Sequence, residues 1–204
     1  MFRITVTDLA KRFGSRRLFQ DLSFELATGD SLAVTGPNGS GKSTMLQILL
    51  GLTRPSRGTV AYSGEETLLE HRQRQQLTGF VAPYLNLYDQ LTGEENLKFF
   101  SSVVGRPVTG KEINTTLEKV GLQGRGLDPV GHYSSGMKQR LKYAVALISQ
   151  PAFLFLDEPS ANLDDAGRGL VSELIARNRE RTILIIATNE KGEADLAGHR
   201  IQLG

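Results

Sequence analysis

One loop of nine residues constrains the fold of this chain more than any other feature. Residues 36–44 read GPNGSGKST, directly after the apolar segment 31–35 and before the helical-looking run 45–50. Three glycines let successive backbone N–H groups turn toward a phosphate, and the helix that follows presents its positive N-terminal end. In the order strand, loop and helix, this motif predicts a nucleoside-triphosphate site.

The positions of this loop have separate roles in holding a nucleotide. Lys42 places a positive charge near the β- and γ-phosphates, and Ser43 supplies a hydroxyl to Mg²⁺. Background residue frequencies put a chance match to this pattern in such a chain at under about 1%. We therefore predict that the whole loop binds nucleotide, namely Gly36, Pro37, Asn38, Gly39, Ser40, Gly41, Lys42, Ser43 and Thr44.

Composition limits the class of protein. The 204 residues, 39% of them apolar, suit one α/β domain, and we expect a single domain over residues 1–204. The charges are spread along the chain with a net charge of +2, so we expect no nucleic-acid partner. No cysteine is present, which excludes disulfides and thiolate chemistry and fits a reducing, cytoplasmic compartment. No apolar run reaches the roughly 18 residues of a membrane span, so any membrane role needs a partner.

Apolar runs and helical periodicity outline the organisation of the chain. Continuous apolar runs predict buried parallel strands that are covered on both faces. The predicted strands are residues 4–6, 22–26, 31–35, 59–62, 80–81, 153–156 and 183–187. Between residues 84 and 150 the pattern becomes helical, with candidate helices at 94–103, 111–120 and 136–149. We predict that this region is an inserted helical lobe.

A pair of acids follows the strongest predicted strand. Residues 153–156 read FLFL and are followed by Asp157, Glu158 and Pro159. In open α/β sheets the chemistry gathers at the carboxyl ends of the strands, where the phosphate loop also lies. Two adjacent acids are more often a solvated turn, but the upstream phosphate loop favours a functional pair. Asp157 is then predicted to hold Mg²⁺, and Glu158 to orient or deprotonate the attacking water.

A serine-rich turn before the third candidate helix carries a family resemblance. Residues 133–140 read YSSGMKQR and resemble the signature of ATP-binding cassette (ABC) ATPases. In that family the serine and glycine hold the γ-phosphate of ATP bound to the opposite subunit, which implicates Ser134, Ser135 and Gly136. An ordinary helix cap at Ser134 or Ser135 is the alternative. Both can be true, because an anion site and a cap use the same orphan N–H groups.

The resemblance extends over nearly the whole chain. Phe13 looks like the aromatic residue that stacks on adenine, residues 160–164 (SANLD) look like the loop that contacts a partner subunit, and Asn189 falls where the family has its switch histidine. The resemblance implies an α/β P-loop NTPase core with a mostly parallel sheet, an N-terminal antiparallel β portion and the inserted helical lobe. It also implies ATP and Mg²⁺ as cofactors and a second ABC subunit, in a head-to-tail homodimer.

Three positions depart from the family pattern. Asn189 can form hydrogen bonds but cannot carry a proton charge as histidine does. Pro83 stands where the family has a glutamine that contacts Mg²⁺, and Ser135 replaces the first glycine of the signature. Hydrolysis is nevertheless expected, because the central residues of the site are retained. The predicted catalytic residues are Glu158, Asn189 and Lys42, and the predicted metal ligands are Ser43 and Asp157.

Most cassettes of this family power membrane transport. The resemblance implies a separate transmembrane permease docked between core and lobe, with residues 84–91 as the expected contact, and a peripheral location on the inner face of the cell membrane. Leu85, Leu87 and Tyr88 suit either that contact or the core of the lobe. The short C-terminus resembles small export cassettes, particularly the haem-exporter ATPase of cytochrome c maturation. A non-transport cassette, such as an iron–sulfur assembly factor, and a catalytically weak nucleotide-binding cassette remain alternatives.

Overall fold

Two sheets carry the fold. The computed structural model describes residues 1–65, 67–161 and 163–204. Their strands are β1 (Phe2–Phe13), β2 (Arg16–Ala27), β3 (Ser31–Thr35), β4 (Arg57–Gly64), β5 (Thr67–Leu68), β6 (Thr78–Val81), β7 (Phe153–Asp157), β8 (Ile183–Thr188) and β9 (His199–Gln202). The first sheet has the order β2-β1-β4-β5 and antiparallel pairing. The second has the order β6-β7-β8-β3-β9 and parallel pairing, which confirms the predicted fold class.

The central strands of the parallel sheet are buried on both faces, as their apolar runs predict. Every residue of β7 and β8 is buried. Because side chains alternate along a strand, β7 contributes to two separate hydrophobic clusters. Leu154 and Leu156 pack in the cluster that contains the lobe helices, whereas Phe153 and Phe155 pack in the cluster with the first sheet. The parallel sheet therefore lies between the helical segment 84–150 and the antiparallel sheet.

Seven α-helices and one 3-10 helix (Val130–His132) complete the described part of the chain. The α-helices are α1 (Lys42–Leu49), α2 (His71–Gln76), α3 (Gly93–Val103), α4 (Gly110–Lys119), α5 (Ser135–Ile148), α6 (Asp165–Asn178) and α7 (Lys191–Ala194). Helices α3, α4 and α5 lie within one residue of the predicted positions at each end. Capping boxes explain where two of them begin: Thr92 pairs with Glu95 ahead of α3, and Thr109 with Glu112 ahead of α4. Among these helices, none is long and apolar enough to cross a bilayer.

Candidate nucleotide site

The phosphate loop has a backbone that requires glycine at its first position. Gly36 has φ 147°, and a Cβ there would lie 2.3 Å from the carbonyl oxygen of Leu203 and 2.7 Å from Ser40 Oγ. Gly39 and Gly41 also have positive φ, at 80° and 105°. Side chains rarely adopt such angles, so the glycines fix the curvature of the loop. Gly41 directly precedes α1, and the loop therefore leads into the helix N-terminus.

Lys42 lies inside the curve of the loop. Its side chain is buried, and its ammonium group donates hydrogen bonds to the carbonyl oxygens of Gly36 at 2.9 Å and Pro37 at 3.2 Å. A buried positive charge that is held only by neutral carbonyls is available to an anion. Ser40 Oγ is also buried and has no hydrogen-bond partner among the described residues. Both groups fit a loop that is built to receive phosphate oxygens.

The loop and the acid pair meet directly. Ser43 Oγ donates a hydrogen bond to Asp157 Oδ1 at 3.0 Å, although the two residues are 114 positions apart. The other carboxylate oxygen, Oδ2, is buried and has no hydrogen-bond partner among the described residues. A hydroxyl beside an unpaired carboxylate oxygen is the kind of oxygen donor set that Mg²⁺ takes in P-loop proteins. The predicted metal ligands therefore lie together and fit this cation.

Asp157 is held in a setting that disfavours its charge. Burial raises the pKa of its carboxyl group above the ordinary value, and the neighbouring charge of Glu158 raises it further. The hydrogen bond from Ser43, the nearby Tyr84 hydroxyl and the charge of Lys42 lower the pKa but do not cancel the effect of burial. A bound cation would relieve this penalty, so the carboxylate is predisposed to bind one.

Glu158 is turned by an unusual backbone conformation. Its φ is 46°, in the left-handed region that residues other than glycine rarely adopt. Its backbone N–H donates to the carbonyl oxygen of Ala187 at 2.8 Å, which ties this turn to β8. Strain of this kind costs on the order of 1–3 kcal/mol and is concentrated at functional sites. The turn places Glu158 on the wall of the same cleft as Lys42 and Ser43.

That cleft has a volume of about 470 Å³ and reaches the first sheet. Phe13 lines it with 55% of its surface exposed, and Lys11 Nζ lies 4.5 Å from the centre of its ring. The structure thus places Phe13 beside the phosphate loop, and its stacking on adenine stays a prediction. Arg16 also lines the cleft and donates to the carbonyl oxygen of Gly39 at 2.9 Å. Arg16 was not predicted, because only the folding of the β1–β2 hairpin brings it to the loop.

Asn189 follows β8, the strand between β3 and β7. Its side chain is exposed, and Nδ2 lies 3.4 Å from Oδ1 of Asn38 in the phosphate loop. The residue in the position of the switch histidine thus lies next to the phosphate loop. Its catalytic role stays a prediction.

The signature turn lies outside this cleft. Ser134 accepts the N–H of Met137 at 3.2 Å, so it caps α5 as the alternative interpretation proposes. Ser134 and Ser135 are exposed, and a Cβ at Gly136 would meet open space. None of these three residues lines the cleft that contains Lys42. Within one chain, the described cleft is therefore assembled without the signature residues.

The loop after β6 contributes a residue that the sequence did not indicate. Pro83 has no polar side-chain group. Its carbonyl oxygen accepts a hydrogen bond from Lys142 Nζ at 2.7 Å. The next residue, Tyr84, lies beside Asp157 and Gln47, and its pKa is raised mainly by burial and also by the charge of Asp157. The loop therefore still brings a polar group to Asp157 despite the missing glutamine. Tyr84 was predicted only as part of a docking surface.

The predicted partner-contact loop is described except for Asn162, which lies outside the described residues. Ser160 is buried, and its N–H donates to Glu193 Oε1 at 2.9 Å. Asp164 begins α6 by accepting the N–H of Gly167 at 2.8 Å. Asp164 is therefore the N-cap of this helix. Contact of this loop with a second subunit stays a prediction.

Comparison with known proteins agrees with this geometry. Residues 19–161 match the ABC transporter family model. The chain is 38% identical over 188 residues to the Nod factor export ATP-binding protein I of Burkholderia lata, covering 89% of this chain and 61% of that protein. It is 33% identical over 190 residues to the cytochrome c biogenesis ATP-binding export protein CcmA of Rhizobium johnstonii, covering 92% and 88%. The chain thus spans less than two thirds of the length of some curated relatives.

A solved structure shows the same fold. The ATP-binding cassette MJ0796, in a dimeric post-hydrolysis state bound to ADP and Pi, superposes with a TM-score of 0.84 at 23% identity, covering 98% of this chain and 94% of that one. The haem-exporter resemblance is correct at the level of the family, but CcmA is one of several relatives of comparable identity. The chain belongs to the ABC transporter family, in which it is one of the ATP-binding cassettes.

Proposed function

We propose that this chain binds and hydrolyses Mg·ATP as one half of a head-to-tail homodimer and thereby powers a separate membrane permease in export. One observation carries the hydrolytic part: the hydrogen bond between Ser43 and Asp157, with Glu158 on the wall of the same cleft. This contact joins the phosphate loop to the acid pair in a single site. The sequence resemblance by itself identifies the phosphate loop and the acid pair but does not show that they are in contact.

The residues of the site have distinct tasks in hydrolysis. Lys42 and the N–H groups of the loop bind the phosphates, while Ser43 and Asp157 hold Mg²⁺, which neutralises phosphate charge when it is bound. Glu158 orients the attacking water and accepts its proton. Asn189, beside Asn38, donates a hydrogen bond to the transferred phosphate group in place of the family's histidine. These tasks are positional and electrostatic, which is what phosphoryl transfer requires.

The position of the signature turn supports a dimer. Its two serines are exposed and its glycine is partly exposed at the N-terminus of the 14-residue helix α5, yet none of the three lines the cleft of its own chain. A helix N-terminus attracts anions, so the turn is suited to the triphosphate of a second copy. The dimeric form of the MJ0796 cassette is in agreement with this arrangement. Two such sites would then be shared between two copies.

A groove beside the lobe is suited to a permease helix. It has a volume of about 380 Å³ and lies between α1, α2 and the end of α3. Leu52 and Val103, on its edges, are 67% and 68% exposed, and Arg72 and Arg74 provide positive charge. An amphipathic cytoplasmic helix with an acidic residue would match this lining. We place the docking site here, with the chain at the inner face of the membrane.

The loop predicted to contact the permease, residues 84–91, is partly occupied by packing within the chain. Leu87 packs against the lobe cluster, so its interpretation as core is correct. Tyr88 is 46% exposed and forms edge-to-face contacts with Phe99, whose ring centre is 4.8 Å away. The exposed aromatic pair continues the apolar surface of α3. Export as the direction of transport is supported by the names of two relatives, a Nod factor export ATP-binding protein and a cytochrome c biogenesis ATP-binding export protein.

Three experiments test the proposal. Phosphate release should require Mg²⁺ and fall by about 10²-fold or more in Glu158→Gln, because that variant keeps the shape but not the base. Lys42→Ala should lose ATP binding in calorimetry. Purification from detergent-solubilised membranes should recover a polytopic membrane protein with this chain. Phosphate release that is unchanged in Glu158→Gln, or recovery of only soluble partners, would refute the corresponding part of the proposal.

A further inference from the structure

A buried carboxylate lies behind the nucleotide site and has no assigned role. Glu193, in α7, is only 7% exposed. Its Oε1 accepts the backbone N–H of Ser160 at 2.9 Å, and its Oε2 accepts the hydroxyl of Thr188. Buried glutamates are rare because removing the charge from water is costly. If the position only had to fill space, an uncharged side chain would be sufficient. We therefore expect this buried carboxylate to have a specific function.

The two partners of Glu193 lie beside the predicted catalytic residues at the ends of two neighbouring strands. Ser160 follows the acid pair at the end of β7, and Thr188 is the last residue of β8, directly before Asn189. Thr188 Oγ1 in turn accepts the N–H of Glu190 at 2.9 Å. The backbone on both sides of Asn189 is thus tied to Glu193, as is the loop that starts at Glu158.

The same loop is fixed from its other side by α5. The carbonyl oxygen of Pro159 accepts hydrogen bonds from the hydroxyl of Tyr143 at 2.8 Å and from Nε2 of Gln139 at 3.3 Å. Both donors are buried and lie on the helix that begins at the signature turn. A continuous chain of hydrogen bonds therefore leads from α5 through residues 159–160 and Glu193 to the segment of Asn189.

We propose that Glu193 is a positioning residue that holds Glu158 and Asn189 in one fixed relation to each other. The inference rests on the proposed function, because it concerns the rate of ATP hydrolysis in that site. Glu193 does not line the nucleotide cleft. It therefore acts on the hydrolytic step through the two loops and contributes nothing to the binding of ATP by the phosphate loop.

The experiment compares the turnover and the ATP affinity of four variants. Glu193→Ala removes both hydrogen bonds of the carboxylate. Thr188→Val removes the bond to Glu193 and the bond that the hydroxyl accepts from the N–H of Glu190, with little change in size, and the double variant removes both side chains. Glu193→Gln keeps an oxygen that can accept the N–H of Ser160. Asp195→Asn is the matched control, since Asp195 is an exposed acid at the end of the same helix and pairs with Arg200.

We expect Glu193→Ala and Thr188→Val to lower kcat by about 10-fold to 10²-fold, as small displacements of catalytic groups do. ATP affinity measured by calorimetry should stay within about 2-fold, and the double variant should resemble Glu193→Ala because both substitutions break one linkage. Glu193→Gln should recover part of the rate, and Asp195→Asn should match the parent protein.

Two results would overturn the inference. One is a kcat equal to that of the parent in both Glu193→Gln and Thr188→Val. These two variants keep the size of the side chain, so they still test the inference if Glu193→Ala does not fold. The other is a parallel loss of kcat and ATP affinity, which indicates a general structural role. Inactivity of the parent chain itself would instead refute the proposed function, and the inference with it.

Discussion

Replacing Gly36 by alanine should destabilise the protein more than any other single methyl addition in the phosphate loop. The added Cβ would lie 2.3 Å from the carbonyl oxygen of Leu203, far inside contact distance, and the residue would keep a φ of 147°. Strain of a side chain in such a conformation costs about 1–3 kcal/mol. Leu203 cannot withdraw freely, because its own N–H donates to the carbonyl oxygen of Thr35 at 2.8 Å.

These terms give an expected loss for Gly36→Ala of about 2–4 kcal/mol in the free energy of unfolding, including roughly 1 kcal/mol for the weakened backbone hydrogen bond. For a domain of this size the melting temperature should fall by about 4–16 °C. The assay is urea and thermal unfolding of the purified chain without nucleotide.

Gly169→Ala is the control for Gly36→Ala. Gly169 lies within α6, and a Cβ there would meet open space. Alanine should therefore stabilise this helix by about 0.5–1 kcal/mol. A Gly36→Ala protein as stable as the parent, measured beside a stabilised Gly169→Ala protein, would refute the account of the loop.

Three further predictions concern the metal site. Because the pKa of Asp157 is raised in the fold, its ionisation opposes folding, and the free energy of unfolding without Mg²⁺ should decrease as pH rises from the ordinary carboxyl pKa of 3.8 through the higher folded value. Asp157→Asn should then melt at a higher temperature than the parent in EDTA at neutral pH and lose Mg²⁺-dependent hydrolysis. An unchanged or lower melting temperature would contradict this. Ser43→Ala should raise the Mg²⁺ concentration for half-maximal phosphate release by about 10-fold or more, since a ligand is lost, and an unaltered Mg²⁺ titration would remove Ser43 from the site. Tyr84→Phe should raise the same concentration by about 5-fold, because a hydroxyl beside Asp157 is lost at a cost near 1 kcal/mol, and equal Mg²⁺ dependence in both proteins would argue against this contact.

The parallel core was predictable because its strands are continuous apolar runs. β3, β7 and β8 lie where those runs occur, and the loop and acids follow their carboxyl ends. The strands of the first sheet were predicted too short, since β1 extends over Phe2–Phe13. Polar residues on its outer face interrupt the apolar run that predicts a strand. Its full length is instead set by pairing with β2 and β4. α6 was not predicted, because two glycines weaken its helical pattern.

The local motifs of the site were predictable, but the contacts that connect them were not. Ser43 and Asp157 each belong to a recognisable motif, so their meeting could be predicted from the sheet. Tyr84, Arg16 and Glu193 have no such motif, because each acts through a partner distant in the sequence. Glu193 reaches Ser160 over 33 positions, and only the packing of α7 against the end of the sheet brings them together.

The proposed sharing of the nucleotide site by two copies is tested most directly by the mass of the Glu158→Gln protein in solution with Mg·ATP. Slowed hydrolysis should trap the closed pair, so light scattering after size exclusion should give twice the 22.3 kDa of one chain with ATP, and 22.3 kDa after ATP is removed. Gly136→Asp in the same background should remain at the single-chain mass, because a carboxylate at the signature turn repels the partner's triphosphate. A single-chain mass for Glu158→Gln at saturating Mg·ATP, with ATP binding intact, would contradict the account.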